Sequence, residues 1–243
     1  MKDFFSKTWI ITKKELFNAF LSLAVYIGIL VFIFGTSVNF FLLNNFFVSG
    51  KGSSDLRFFY AFFPYISILC IPSLTMHLWS NEVTDLVFSL PVSTISLVVG
   101  KWLSALIICL YIQIILLLVP FTVQFFGNVD KGQVIAANIV ILFYFSAVTA
   151  LGGFLSLSTK SQISSAILTS LILSLLNSAH LFPVLFKLPR FFESFFCGIS
   201  FACHFDAASK GIIAFRDILF YLVLTIFFLG AHIFLIEAKK ETN

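Results

Sequence analysis

The stretch that decides the fold is LVVGKWLSALIICLYIQIILLLVPFTVQFF, residues 97–126. A single charged residue, Lys101, interrupts it near its start. As a helix rising 1.5 Å per residue it would be about 45 Å long, more than enough to cross about 30 Å of bilayer hydrocarbon. It lacks the alternating polarity of a barrel strand, so an α-helix is the form that satisfies its backbone hydrogen bonds in lipid. Five further apolar runs of spanning length flank it, at residues 20–43, 58–78, 134–157, 163–186 and 218–236. The predicted fold class is therefore all-α integral membrane, with six transmembrane helices in one domain covering residues 1–243.

Composition points the same way. The chain is 60% hydrophobic and 11% charged, with a mean hydropathy of +1.06; soluble domains carry about 25% charged residues. The 34 Phe suit outer faces that meet acyl chains. A net charge of +4 is too small and too dispersed for nucleic-acid binding, and Lys and Arg fall at segment ends, where snorkelling to the headgroups is expected. Four cysteines are too few for a disulfide scaffold, and Cys70 and Cys109 read as small hydrophobes inside apolar runs.

Six spans return both termini to one side. The lysines before the first span, Lys2, Lys7, Lys13 and Lys14, make that side the cytoplasm and the membrane the inner (cytoplasmic) one. Over the whole chain the bias is slight, eight Lys/Arg inside against seven outside. The N-terminus has no cleavable-signal layout, so the first span is expected to act as its own insertion signal. Residues 1–19 are expected to form an interfacial elbow helix, with Phe5, Trp9 and Leu16 on one side and Asp3, Lys7 and Lys14 on another; a charged flank that merely anchors the first span is the plainer reading. Residues 20–236 form the bundle and 237–243 a cytoplasmic tail. The aromatic-rich stretch 185–217 is expected to fold as short interfacial helices capping the outer face.

Pro64 and Pro72 lie inside the second run, where each removes a helix hydrogen bond. They are hinge candidates, and a purely structural kink is equally open. Gly152 and Gly153, with Ser146, Ser156 and Ser158, allow close helix packing in the fourth run.

Motifs with chemistry are few. Away from their ends the six runs contain no Asp, Glu, Lys or Arg, whereas ion-coupled transporters place an ionisable group near the midplane. A motor outside this chain is the natural substitute. No phosphate loop, H-E-x-x-H, C-x-x-C or G-x-S-x-G occurs, so no catalytic residue, cofactor or metal is expected and the chain reads as a non-enzyme. His77, His180, His204 and His232 are scattered and read as hydrogen-bonded structural groups. Cys197, Cys203, His204 and Asp206 form a local oddity: a Cys197–Cys203 disulfide on an oxidising side, or a metal site of no standard spacing, stands against the favoured reading of two unlinked cysteines.

One segment carries a resemblance. Ile71-Pro72-Ser73-Leu74-Thr75-Met76-His77-Leu78-Trp79-Ser80-Asn81-Glu82, then Asp85-Leu86, Ser89-Leu90-Pro91-Val92-Ser93 and Gly100-Lys101 resemble the second-span, coupling-helix and third-span signature of ABC-2 type transporter permeases. The similarity is greatest to the branch of gliding-motility auxiliary and nitrous-oxide reductase maturation permeases. Further pieces keep the family's order: Lys13-Lys14-Glu15-Leu16, Gly127-Asn128-Val129-Asp130, residues 159–162 and residues 211–217. The resemblance implies a second permease subunit, a separate ABC ATPase subunit, and a coupling contact at Glu82, Asp85 and Leu90-Pro91-Val92-Ser93. The polar stretch after Glu82 is shorter than the family's, which implies a shortened coupling helix or a matched, divergent ATPase. The expected function is a permease subunit of an ATP-driven exporter. A membrane scaffold that moves no substrate is the alternative, and an intramembrane enzyme is disfavoured by the missing nucleophile and acid/base pairs.

Overall fold

The computed structural model describes residues 2–43, 56–80, 93–159, 161–187 and 189–242. They are almost wholly helical, with no strand among the described residues. Six helices are long and apolar enough to cross a membrane: Leu23–Leu42, Arg57–Trp79, Thr94–Gln124, Lys131–Ser158, Gln162–Leu185 and Phe215–Lys240, numbered here as spans one to six. The chain is thus a multi-pass helical membrane protein, and the span limits fall within a few residues of those read from hydropathy. Short polar side chains start several helices. Ser93, Asp130, Ser161 and Ser200 each accept a backbone N–H from the first turn that follows, a donor the helix itself leaves unpaired.

Spans two and four form the centre. About 61% of each apolar window is buried, against 17% for span six, so span six meets the protein along a narrow stripe and lipid elsewhere. That stripe is Tyr221, Thr225, His232 and Ile236, all buried. The middle of the bundle is aromatic. Phe63 lies 5.0 Å from Phe32, 5.2 Å from Phe145 and 5.8 Å from Phe205 between ring centroids, and Tyr144 lies 5.6 Å from Tyr221. Such edge-on and offset contacts favour a fixed arrangement where no hydrophobic force distinguishes protein from lipid. Cys70 and Cys109 are unlinked and buried.

Small residues set the helix spacing. A methyl at Gly152 would lie 2.4 Å from Thr75 Oγ1, whereas one at Gly153 would meet its nearest neighbour, His232 Cε1, at 3.4 Å. Of the paired glycines in span four, only Gly152 marks a forced close approach. Gly28 plays the same part between spans one and two, where a methyl would fall 2.1 Å from Ser73 Oγ. Ser146 bonds Thr225 Oγ1 at 2.9 Å and Ser156 donates to Met76 O at 3.2 Å, both between spans. Ser158 donates to Phe154 O of its own helix.

The helix of span two runs unbroken from Arg57 to Thr75 through both prolines, and the irregularity falls at Met76, before the short helix His77–Ser80. Neither Pro64 nor Pro72 breaks it. Span six stays helical to Thr242, so residues 237–242 continue that helix.

The N-terminal helix Lys2–Leu21 ends at Ser22, whose extended backbone separates it from span one. Its seat on the bundle is not its aromatic side. Thr8 and Thr12 are the residues buried, against Gly100 of span three, and Thr12 Oγ1 donates to Gly100 O at 3.1 Å. A methyl at Gly100 would lie 2.9 Å from Ile11 Cγ2, so the glycine admits the crossing. Phe5 and Trp9 stay exposed, and Leu16 packs on the core. Lys240 Nζ donates to Thr94 Oγ1 at 3.2 Å, which puts both termini at the end of the bundle where span three begins. The opposite end of the bundle is its far end.

Candidate functional site

Of the sequence-predicted coupling residues, Glu82, Asp85, Leu90, Pro91 and Val92 lie outside the described residues. Ser93 is the N-cap of span three, its hydroxyl accepting from Ser96 N–H at 3.3 Å. What the structure defines is how the two flanks of segment 81–92 are held.

The flank before the segment, Leu78 and Trp79, meets a polar junction centred on Lys101. Its side chain is 1% exposed, and its ammonium lies 3.3 Å from Glu15 Oε1 of the N-terminal helix. It also donates to Leu78 O at 2.5 Å and sits 4.7 Å over the Trp79 ring. A strong donor thus meets a carboxylate, a carbonyl and an aromatic face at once. Trp79 N–H donates to Ser156 Oγ of span four at 3.2 Å, and its ring lies 5.0 Å from that of His232 in span six. On the other flank Lys240 reaches Thr94, while Lys239 Nζ donates to Leu157 O at 3.0 Å. The residues on either side of segment 81–92 are therefore fastened: Leu78 and Trp79 to spans three, four and six and, through Lys101, to Glu15 of the N-terminal helix, and Thr94 to span six.

Sequence reasoning placed Lys101 among lysines that snorkel from span ends. The structure corrects this: the residue lies about 10 Å inside span three at 1.5 Å per residue, and it points into the protein. Its carboxylate partner is 86 positions away, a separation that no helical periodicity reveals. The only local signal is a charge set among small residues, Gly100 and Ser104.

Beside this junction lies a cavity of about 300 Å³. Its polar wall is Glu15, Asn18, Ser22, His77, Ser104 and Gln162, drawn from the N-terminal helix and spans two, three and five. Ser22 Oγ and His77 Nε2 are hydrogen-bonded at 3.1 Å across it.

Deeper in the bundle the carbonyl of Pro64 is a three-helix clasp. It accepts from Ser67 Oγ at 2.6 Å, Asn177 Nδ2 at 2.9 Å and Tyr144 OH at 3.4 Å, while Tyr144 and Ser67 hydroxyls lie 2.5 Å apart. Spans two, four and five are joined there, and the chain of contacts continues through Asn177 O to Ser200 Oγ and His180 Nδ1. Tyr144→Phe is expected to lower stability by about 1 kcal/mol, since one hydroxyl is lost from a buried network. Asn177→Leu should cost more, because it strips the better-aligned donor from Pro64. Unfolding in mixed micelles checks this; equal midpoints for Tyr144→Phe, Asn177→Leu and the unaltered chain would show that the clasp carries no stability.

At the far end two short helices, Arg190–Ile199 and Phe201–Ser209, turn back over the bundle. Gln133 Nε2 donates to Ser209 O at 2.7 Å, and Gly211, at φ 83°, passes so close that a methyl there would lie 3.1 Å from Gln133 Cα. Cys197 and Cys203 are joined by a disulfide, which corrects the favoured reading of two unlinked cysteines. The turn at Ser200 brings their Cα atoms to 5.5 Å. Cys197, Cys203, His204 and Asp206 do not converge as a ligand set. Asp206 faces Lys210 and Arg57, and His204 Nδ1 instead meets Asp217 Oδ1 at 2.7 Å, with its Nε2 3.1 Å from Gly198 O. No group of three His, Cys, Asp or Glu side chains converges as a metal site among the described residues. The His204–Asp217 pair was missed from sequence because the partners lie in different helices, 13 positions apart.

No protein-family model matches this chain, and no characterised protein matches it in sequence.

Proposed function

We propose that this chain is the permease subunit of an ATP-driven exporter of the ABC-2 type, moved by a separate ABC ATPase subunit that docks on segment 81–92. The observation that carries the reading is the fastening of both flanks of that segment. Lys101, Ser156 and the Trp79 contacts on one side, and Lys240 at Thr94 on the other, would pass a rigid-body displacement of the segment into the N-terminal helix and three spans together. A plain connecting loop needs no such attachment. The order of motifs from Lys13-Lys14-Glu15 to the pre-span-six turn supports the same assignment.

In this reading Glu82, Asp85 and the Leu90-Pro91-Val92-Ser93 turn make the docking contact, and a second permease subunit completes the translocation path. The N-terminal helix is the interfacial elbow, with Phe5 and Trp9 in the headgroup region. The far-end helices cap the outer face, where a disulfide is at home in an oxidising compartment. Both termini are then cytoplasmic, and the membrane is the cell's inner one. Pro64 and Pro72 remain hinge candidates within span two.

The test is co-purification of the tagged chain from membranes, followed by an ATP-hydrolysis assay. An ATPase subunit is expected with the unaltered chain, and the charge reversals Glu82→Lys and Asp85→Lys together are expected to release it or to abolish its coupling. A folded chain that brings down no ATPase would overturn the transporter reading in favour of a scaffold.

A further inference from the structure

A cavity of about 800 Å³ lies at the far end between the helix Arg190–Ile199 and the start of span six. Its long wall is apolar: Leu219, Phe220, Val223 and Leu224, on one side of a helix that crosses the bilayer. Leu219 and Val223 are about half exposed, so the groove opens laterally along a lipid-facing surface. Its mouth is different. Glu193 and Arg216 both line it, one anion and one cation, and Arg216 stands in the first turn of the span. The Arg216 side chain is 81% exposed, and its Nε lies 3.4 Å from Asp217 Oδ1. Asp217 itself is buried and engaged by His204, which stacks on Phe220 at 3.9 Å and stiffens this wall. The Cys197–Cys203 disulfide closes the opposite side, fixing the bend between the two far-end helices.

We propose that this groove holds one phospholipid with a phosphate-and-amine headgroup. One of its acyl chains would lie along Leu219 and Val223, with its phosphate at Arg216 and its ammonium at Glu193. The occupant follows from charge complementarity. A guanidinium alone would favour any phosphate-bearing amphiphile, and the adjacent carboxylate adds a partner for an ammonium, which phosphatidylglycerol lacks. Continuity with a bilayer-crossing face supplies the acyl chain from the membrane. This inference is independent of the transporter reading, because a scaffold and a permease would hold such a lipid equally.

The experiment is native mass spectrometry of the purified full chain, delipidated and titrated with phosphatidylethanolamine, phosphatidylglycerol or water-soluble phosphoethanolamine. One retained phosphatidylethanolamine is expected, bound about tenfold more tightly than phosphatidylglycerol, with no retention of the soluble headgroup. Arg216→Gln should weaken both lipids about tenfold, the loss of a charge-assisted contact. Glu193→Gln should erase the preference by weakening phosphatidylethanolamine alone. Val223→Trp, which fills the groove from an exposed position, should reduce both adducts while size-exclusion elution and helicity stay unchanged. Adducts that persist unchanged in Arg216→Gln and Val223→Trp would overturn the site. A preference for phosphatidylglycerol, or one that Glu193→Gln leaves intact, would overturn the headgroup assignment.

Discussion

Replacing Glu15 by leucine should destabilise the chain by about 3 kcal/mol or more, because it removes the carboxylate set 3.3 Å from the buried Lys101 ammonium. Breaking one partner of a buried pair is costly in a way that removing both is not. Lys101 is 1% exposed, whereas Glu15 is 11% exposed and borders the 300 Å³ polar cavity. The asymmetry orders the variants. Lys101→Met should cost less than Glu15→Leu, since a lone Glu15 keeps access to that cavity, although Leu78 O loses its donor. The double variant should lie close to Lys101→Met alone, giving a coupling of about 3 kcal/mol, the size of the Glu15→Leu loss, between two residues on different helices. Unfolding midpoints for the four proteins in one detergent measure this directly. Additive losses would mean that the two side chains act independently and that the junction does not bind the N-terminal helix to span three.

Gly152→Ala should destabilise by about 1–3 kcal/mol, although alanine is the better helix former. The new methyl would lie 2.4 Å from Thr75 Oγ1 and 2.8 Å from its Cβ, at the base of a β-branched side chain that cannot swing clear. Spans two and four must then separate, and they are the two most buried helices. The neighbouring change Gly153→Ala is the control. Its nearest contact is an ordinary 3.4 Å, so its effect should stay within about 0.5 kcal/mol of neutral. Thr75→Ala combined with Gly152→Ala should recover part of the loss, since it removes the Oγ1 and Cγ2 contacts and leaves the Cβ at 2.8 Å. A Gly152→Ala protein as stable as Gly153→Ala, or a double variant with no recovery, would show that span two does not approach span four as closely as the structure has it.

These two positions divide what a sequence carries from what it does not. The six spans were legible because a bilayer leaves a helix few alternatives: about 20 apolar residues must pair their own backbone groups. The caps at Ser93, Asp130 and Ser161 are local as well, since a short oxygen-bearing side chain reaches an N–H two or three residues on, although the sequence reading did not name them. Gly152 and Gly153 could be named as a packing site but not told apart, because the difference between them is Thr75, which belongs to another helix. The N-terminal helix shows the same limit. Its aromatic side was plain from a helical plot, yet the side that seats on the bundle is Thr8 and Thr12, chosen by the gap that Gly100 leaves in span three.

The sequence by itself determined that this is a six-span helical membrane protein, because lipid imposes the same demand on every segment and each segment answers it alone. Tertiary structure decided where its polar groups go. Lys101 and Glu15, and Asn177 and Pro64 O, are joined across helices far apart in sequence, and His204 and Asp217 across two neighbouring ones. In hydrocarbon a polar group takes whatever partner the packing brings within about 3 Å, and that partner is a property of the bundle and not of the segment.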